Sequence, residues 1–456
     1  MKFLLMIFPC ALSFAQSVNW VQPNHTQGWP GANGFLQWRY DPASSQTILY
    51  GVVAGSVDIY STDVFGYNSA SNTFTHINGV GSLEDLCTLD TPTLPGERQF
   101  SGQIAVDTKR ASMLLYGGAN QSCTMLVNAD GSQTINNSGQ FTNFVVGVNW
   151  VGRSINIGAS RTPSQNPTYT IVSVTDKHHA VVDRPISAAN GLYAAFPPPD
   201  QSATGVHQKA DTYSLALNVD NTLDSWVQLN APHGPPPYFV GVAAYDQDDD
   251  IIFHFGYDGG PAKQNNWVYC STIGNPTPGV LTAPQSGAGC VNPDDWSLVA
   301  IASCVGNCNA YKSPKGSTFP SMIYDTTDHK FILYGGNFGA NNPVNETWAF
   351  DAPTKSWTQR CISPCSPPPV TKVSRAGPPI AYVPSLNKVL YHHLDGPSDY
   401  AYDYPGDTWT LLLSSGGGAT YSSTPSGQAL AYDPIANALI GWNEGTSATL
   451  WIGYLQ

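Results

Sequence analysis

The sequence predicts an all-β fold in which one short unit repeats around a closed ring. Three observations carry that expectation. The stretch from Thr318 to Arg360 holds four apolar runs separated by turn residues, its opening pattern recurs along the chain, and the two ends of the chain carry complementary parts of one copy. Composition agrees. Gly (43) and Pro (36) are abundant among 456 residues, aromatics reach 11% and charged residues only 11%. A disordered chain would be charge-rich and aromatic-poor; this balance suits a turn-rich β protein.

Within that first stretch the runs are Ser321–Asp325, 331–336, 346–351 and 356–359, as expected for a four-stranded antiparallel meander. A residue pair that ends in aspartate in every copy but one, a short turn and an apolar run recur elsewhere. The copies are Tyr40-Asp41 with 47–51, Val106-Asp107 with 113–118, Tyr245-Asp246 with 251–256, Tyr382-Val383 with 388–393, and Tyr432-Asp433 with 438–442. Together with the first stretch this makes six copies. Aspartate suits the position because its carboxylate accepts from backbone N–H groups two residues on. Third strands are expected at 63–67, 212–217, 267–269, 348–350, 400–402 and 450–452, and fourth strands at 73–75, 226–228, 296–298, 357–359 and 409–411. The last copy reaches Gln456 without a fourth strand. Near the start, Asn19-Trp20-Val21-Gln22 matches Ser225-Trp226-Val227-Gln228, so this segment (18–22) is expected to complete the last copy and leave no open sheet edge.

The diglycine at 335–336, the aromatic–aspartate pair and the closing Trp357 resemble a kelch repeat, one blade of a β-propeller. The resemblance implies an all-β, six-bladed kelch-type β-propeller of the galactose oxidase central-domain kind. One copy is interrupted between Gly118 and Thr212, far more chain than a loop needs. Strand signals at 141–146, 154–157, 169–174 and 179–182 make 125–205 a small β module inserted in blade 2, with 197–199 in its return linker. The propeller would then occupy 16–124 and 206–456.

Residues 1–15 read as an export signal: Lys2, an apolar run over 3–12, and small residues around Ser13 and Ala15. That run is too short to span a bilayer and no later stretch approaches one, so the expected location is secreted, periplasmic or cell-surface, with no transmembrane segment. A net charge of −13 without any Lys/Arg cluster argues against nucleic acid. Nine cysteines are present, and Cys10 falls in the signal. The other eight are Cys87, Cys123, Cys270, Cys290, Cys304, Cys308, Cys361 and Cys365, for which disulfides are the default in an exported protein. Cys304/Cys308 and Cys361/Cys365 would close tight loops, Cys270/Cys290 and Cys87/Cys123 longer ones. The competing reading is a zinc site made by the two C-x3-C pairs. Asn24, Asn120, Asn136 and Asn345 lie in glycosylation sequons.

For kelch propellers, the resemblance implies ligand contacts on the loops after the second strands (52–61, 257–265, 337–345, 394–399, 443–448) and on the loops between blades (79–99, 230–238, 300–317, 361–377, 414–427). Loops on a rigid scaffold are where function concentrates. Arg98 and Arg375 precede first strands and could offer guanidinium groups to a carboxylate or sugar acid in the channel. Tyr257, Asp258, Asn337, Phe338, Asp395, Trp442 and Glu444 add aromatic, amide and carboxylate groups suited to carbohydrate. His178-His179 and His392-His393 invite a metal reading, but neighbours on a regular strand face opposite ways. The resemblance extends to copper-radical oxidases of the galactose and glyoxal oxidase kind, which need a Tyr followed by His. Tyr391-His392 sits at a diglycine position, so no metal and no cofactor are expected. Neither G-x-S-x-G nor H-E-x-x-H occurs. The expected function is an exported binding protein for a glycan or an extracellular protein. The alternative is a sugar-active enzyme: a mutarotase-like epimerase using Glu444 or Asp258 with Arg375, or a copper oxidase.

Overall fold

The computed structural model describes residues 17–23, 34–54, 59–60, 64–78, 95, 103–117, 119–121, 125–137, 151–152, 154–160, 165–176, 179–195, 206–208, 211–217, 226–229, 231–235, 241–257, 264–315, 320–336, 343–370, 377–393, 398–416, 430–443 and 449–456. These residues are nearly all β. Strand β1 spans Ser17–Val21. A first unit comprises β2 (Gly34–Asp41), β3 (Gln46–Ala54), the short β4 (Ile59–Tyr60), β5 (Val64–Asn68) and β6 (Thr73–Asn78). The second begins with β7 (Gln103–Asp107) and β8 (Ser112–Tyr116). An excursion follows: β9 (Ala119–Gln121), β10 (Met125–Ala129), β11 (Thr134–Asn137), β12 (Ser154–Gly158), β13 (Thr168–Asp176), β14 (His179–Val182), β15 (Ala189–Ala195) and β16 (Val206–Gln208). The second unit then resumes with β17 (Thr212–Ala216) and β18 (Trp226–Leu229).

The third unit holds β19 (Gly241–Asp246), β20 (Ile251–Tyr257), β21 (Gln264–Tyr269) and β22 (Trp296–Leu298), with helix α1 (Ala283–Ala288) before β22. After β23 (Ser303–Val305) come β24 (Ser321–Asp325), β25 (Lys330–Tyr334), β26 (Thr347–Asp351) and β27 (Ser356–Arg360) as the fourth. The fifth is β28 (Ile380–Val383), β29 (Lys388–His392), β30 (Asp399–Asp403) and β31 (Thr408–Ser415). The sixth is β32 (Leu430–Asp433), β33 (Ala438–Asn443) and β34 (Thr449–Leu455), to which β1 adds antiparallel with Trp20 opposite Gly453.

The first strands touch in a cycle: β2 lies against β7, β7 against β19, β19 against β24, β24 against β28, β28 against β32, and β32 against β2. The apolar core follows the same order. Among the described residues six clusters each sit between two neighbouring units, and a seventh fills the barrel closed by β10–β15. Each sheet thus buries both faces, which explains strands that read as continuous apolar runs.

The turn aspartates do what their chemistry demands. Asp41, Asp107, Asp246, Asp325 and Asp433 each accept backbone N–H bonds from residues two and three further on. In the fifth unit Val383 cannot, and a 3-10 turn over Pro384–Leu386 replaces the cap. Every one of these turns ends in a left-handed residue: Ser45, Ala111, Asp250, His329, Asn387 and Asn437.

The tryptophans bind unit to unit. Trp296 Nε1 donates to Thr212 Oγ1, Trp357 Nε1 to Asn266 Oδ1, Trp409 Nε1 to Thr347 Oγ1 and Trp20 Nε1 to Asp399 Oδ2, each at 2.9 Å. In every case a fourth-strand indole reaches an acceptor in the third strand of the preceding unit.

Three features depart from the sequence reading. Strand β31 runs on to Ser415 and pairs in parallel with β1, Ser17 opposite Leu413, so the fifth and sixth units share an eight-stranded sheet. Gly416, at φ 82°, permits this approach, because a Cβ there would lie 1.9 Å from Trp20 O. Strand β23 likewise covers the outer edge of the fourth unit, parallel to β27. In the barrel, β12, β13 and β14 match expected segments, while β10, β11 and β15 carry no clear pattern; the segment expected at 141–146 lies outside the described residues.

Disulfides join Cys270 to Cys290, Cys304 to Cys308 and Cys361 to Cys365, which removes the zinc reading of the two C-x3-C pairs. Cys87 and Cys123 lie outside the described residues. Among the described residues no helix is long and apolar enough to cross a membrane.

Candidate functional site

All six first strands contribute to the wall of one cavity of about 230 Å³. Register explains its lining. The position just before each turn aspartate (or Val383) holds Tyr40, Val106, Tyr245, Tyr324, Tyr382 and Tyr432, giving five tyrosines around one axis. One residue earlier stand Arg39, Ala105, Ala244, Ile323, Ala381 and Ala431. Four alanines at the level of a single arginine leave the space its side chain enters.

The tyrosine hydroxyls are tied down towards the turns. Tyr245 donates to Asp250 Oδ1 (2.9 Å), Tyr382 donates to Asn387 Oδ1 (2.9 Å) and accepts from Thr327 Oγ1 (2.6 Å), Tyr432 donates to Asn437 Oδ1 (2.8 Å), and Tyr324 to Asp248 Oδ2 (2.7 Å). Burial, with neighbouring carboxylates adding to it, pushes the Tyr245 and Tyr324 phenols well above their usual range, so both stay neutral. The rings are therefore held in place as a neutral wall.

Arg39 is the exception to that neutrality. Its Nη1 donates to Trp38 O at 2.7 Å and its Nη2 reaches Ala243 O on β19 at 3.3 Å. Burial alone pulls its pKa down to about 10, with no charged neighbour contributing, so it remains a cation at neutral pH. A guanidinium carries five N–H donors in a planar fork, and two carbonyls occupy only part of it. A half-buried cation that meets no carboxylate among the described residues and faces a cavity is chemically suited to an anion.

None of the sequence-derived ligand candidates falls among these groups. Arg98, Asp258, Asn337, Phe338, Arg375, Asp395 and Glu444 lie outside the described residues, and so do the side chains of Tyr257 and Trp442, whose backbones lie at the end of β20 and one residue before the end of β33. His178 is likewise outside, and His179 belongs to the barrel strand β14. His392 is fully buried, its Nδ1 2.6 Å from Asp399 Oδ1, while Asp399 Oδ2 also accepts from Trp20 and from Ser414 Oγ. That carboxylate is a junction between units, where the incoming N-terminal strand is fastened. Among the described residues no group of three His, Cys, Asp or Glu could hold a metal ion. Sequence reasoning missed Arg39, although aligning the six first strands shows one cation in a column of alanines.

No family model matches the chain, and no curated protein matches it. Among solved structures it is similar to the endosialidase of phage phi92, with TM-score 0.38 and 12% identity over 96% of this chain and 68% of that one. A likeness of that degree carries no argument about activity.

Proposed function

We propose that the chain is an exported binding protein, a six-bladed kelch-type β-propeller that takes a glycan at its axis, with 125–205 as a module inserted in the second blade and 1–15 as its export signal. The observation that carries this reading is the cavity walled by all six first strands, with five tyrosine rings and one guanidinium facing a common space. Supporting the architecture are the cycle of first-strand contacts and the pairing of β1 with β34. Three disulfides fit an oxidising compartment outside the cytoplasm. Aromatic walls suit carbohydrate, whose rings offer C–H faces to the electron-rich face of the aromatic ring.

Binding fits this cavity better than catalysis. Among its described lining residues there is no carboxylate and no imidazole, the usual groups for moving a proton at a sugar ring. A glycan array with purified protein tests the proposal. Retention of defined sugars supports it, whereas silence across the array together with capture of extracellular protein would redirect it to a protein partner. Stoichiometric copper with oxidase activity would replace it.

A further inference from the structure

We propose that the cavity is an anion site in which the Arg39 guanidinium receives the carboxylate of a single acidic sugar residue. This rests on the glycan reading above and narrows it to one ligand class. Arg39 stands alone among Ala105, Ala244, Ile323, Ala381 and Ala431, and among the described residues its fork is met by two neutral carbonyls and no carboxylate. Leaving a half-buried charge without a counter-charge costs stability, a cost that a bound anion relieves.

The geometry selects the kind of anion. A planar carboxylate matches the two parallel N–H vectors of a guanidinium. One cation in a neutral wall balances one negative charge, and a chain of net charge −13 disfavours polyanions. The tyrosine faces are electron-rich and repel an anion placed upon them. The charge must therefore sit at Arg39 while an apolar ring face lies against the tyrosines, a division that a pyranose acid satisfies. Size agrees: with a water occupying about 30 Å³ of liquid, the cavity of about 230 Å³ holds the volume of roughly eight waters, enough for a single ring.

The test is calorimetric titration with D-glucuronate, D-glucose and acetate on the wild type, Arg39→Gln and Ala381→Leu. We expect glucuronate to bind the wild type at least ten-fold more tightly than glucose, and Arg39→Gln to erase that preference. Ala381→Leu, which fills the cavity without touching the charge, should weaken glucuronate at least ten-fold. In urea, Arg39→Gln should be no less stable than the wild type. Equal binding of glucose and glucuronate, unchanged in Arg39→Gln, overturns the anion assignment and leaves the glycan reading standing. Arg39-dependent binding of acetate without glucuronate overturns the acidic-sugar assignment and counts against the glycan reading too. Glucuronate binding untouched by Ala381→Leu, or no binding of any probe to the wild type, overturns the proposal outright.

Discussion

Two arginines largely withdrawn from solvent live under opposite conditions in this molecule. Arg110, in the turn between β7 and β8, spends its donors on partners from two units. Nη1 meets Asp107 Oδ2 and Asp250 Oδ1 at 2.7 Å each, Nη2 meets Asp250 Oδ2 at 2.8 Å and Ser271 O at 2.9 Å, and Nε meets Ile273 O at 2.6 Å. Burial would pull its pKa down, but the carboxylates of Asp250 and Asp107 outweigh that and raise it. Arg39 has burial without the carboxylates, and its pKa falls. Saturated partners mark a cation that holds the fold together. Arg39, whose fork meets two carbonyls among the described residues, faces the cavity with donors to spare.

The sharpest way to break this contrast is to remove Arg110. Arg110→Met leaves Asp107 without a cation and Asp250 with Lys109 alone, and loss of one partner of a buried pair costs about 3–5 kcal/mol, to be read by urea unfolding against the near-neutral Arg39→Gln. A cost below that of a surface change would collapse the distinction. The sign of the pH dependence follows from Asp250. Burial would raise its pKa, but hydrogen bonds from Arg110 and Lys109 prevail and lower it. Its contribution is therefore complete above the unfolded carboxylate value of about 3.9 and is lost as pH falls through the depressed folded value.

Next in size is the loop that supplies Ser271 O and Ile273 O to Arg110. The Cys270–Cys290 disulfide closes it over a separation of 20 residues, and replacing both cysteines by serine should cost about 3 kcal/mol. Combined with Arg110→Met the losses should fall short of additive, because both changes release the same loop. Strict additivity would mean that the disulfide and the ion pairs stabilise separate parts.

The sequence made much of this frame legible, and for a local reason. Asp41, Asp107, Asp246, Asp325 and Asp433 bond within their own turns, and Trp20, Trp226, Trp296, Trp357 and Trp409 each lie in a fourth strand, so a residue type in a recurring context is enough to find them. The parallel pairing of β1 with β31 was not legible, since 411–415 offers only the run Leu411-Leu412-Leu413 followed by two serines, without the polar–apolar alternation that marks an edge strand. The site was harder still. Arg98 and Arg375 drew notice by their place before first strands, whereas Arg39 lies within one, and its role exists only once six strands bring four alanines opposite it. A property of a column across units is invisible in any single unit.

A smaller effect extends the contrast to carboxylates. Asp249 lies beside Asp250 but lacks its cations; burial first, then Asp246, Asp248 and Asp351, push its pKa up to about 6. A carboxyl whose folded pKa is raised binds its proton more tightly in the native state, so native stability falls as pH rises from about 4 to about 6 and stays reduced above. Asp249→Asn should remove that decline and stabilise the protein at pH 7 by about 1 kcal/mol, allowing for solvent screening of a half-exposed group. Unfolding curves at pH 4 and pH 7 decide it; an equal effect at both would assign the change to packing rather than charge.

The smallest prediction repeats the comparison with a neutral donor. Trp357 gives its N–H to Asn266, but Trp226, fully buried, meets no acceptor among the described residues, because Val64 occupies the third-strand position held elsewhere by Thr212, Asn266, Thr347 or Asp399. Trp357→Phe loses ring volume and orphans Asn266 Oδ1; Trp226→Phe loses similar volume and orphans nothing. The first should therefore cost about 1 kcal/mol more than the second, the usual worth of a buried hydrogen bond. Val64→Thr supplies the missing acceptor. It should recover up to about 1 kcal/mol beside Trp226 and nothing beside Phe at that position. If Val64→Thr acts equally in both backgrounds, the indole N–H is not what the third-strand acceptors are there to satisfy, and the fastening between units must be ascribed to ring packing alone.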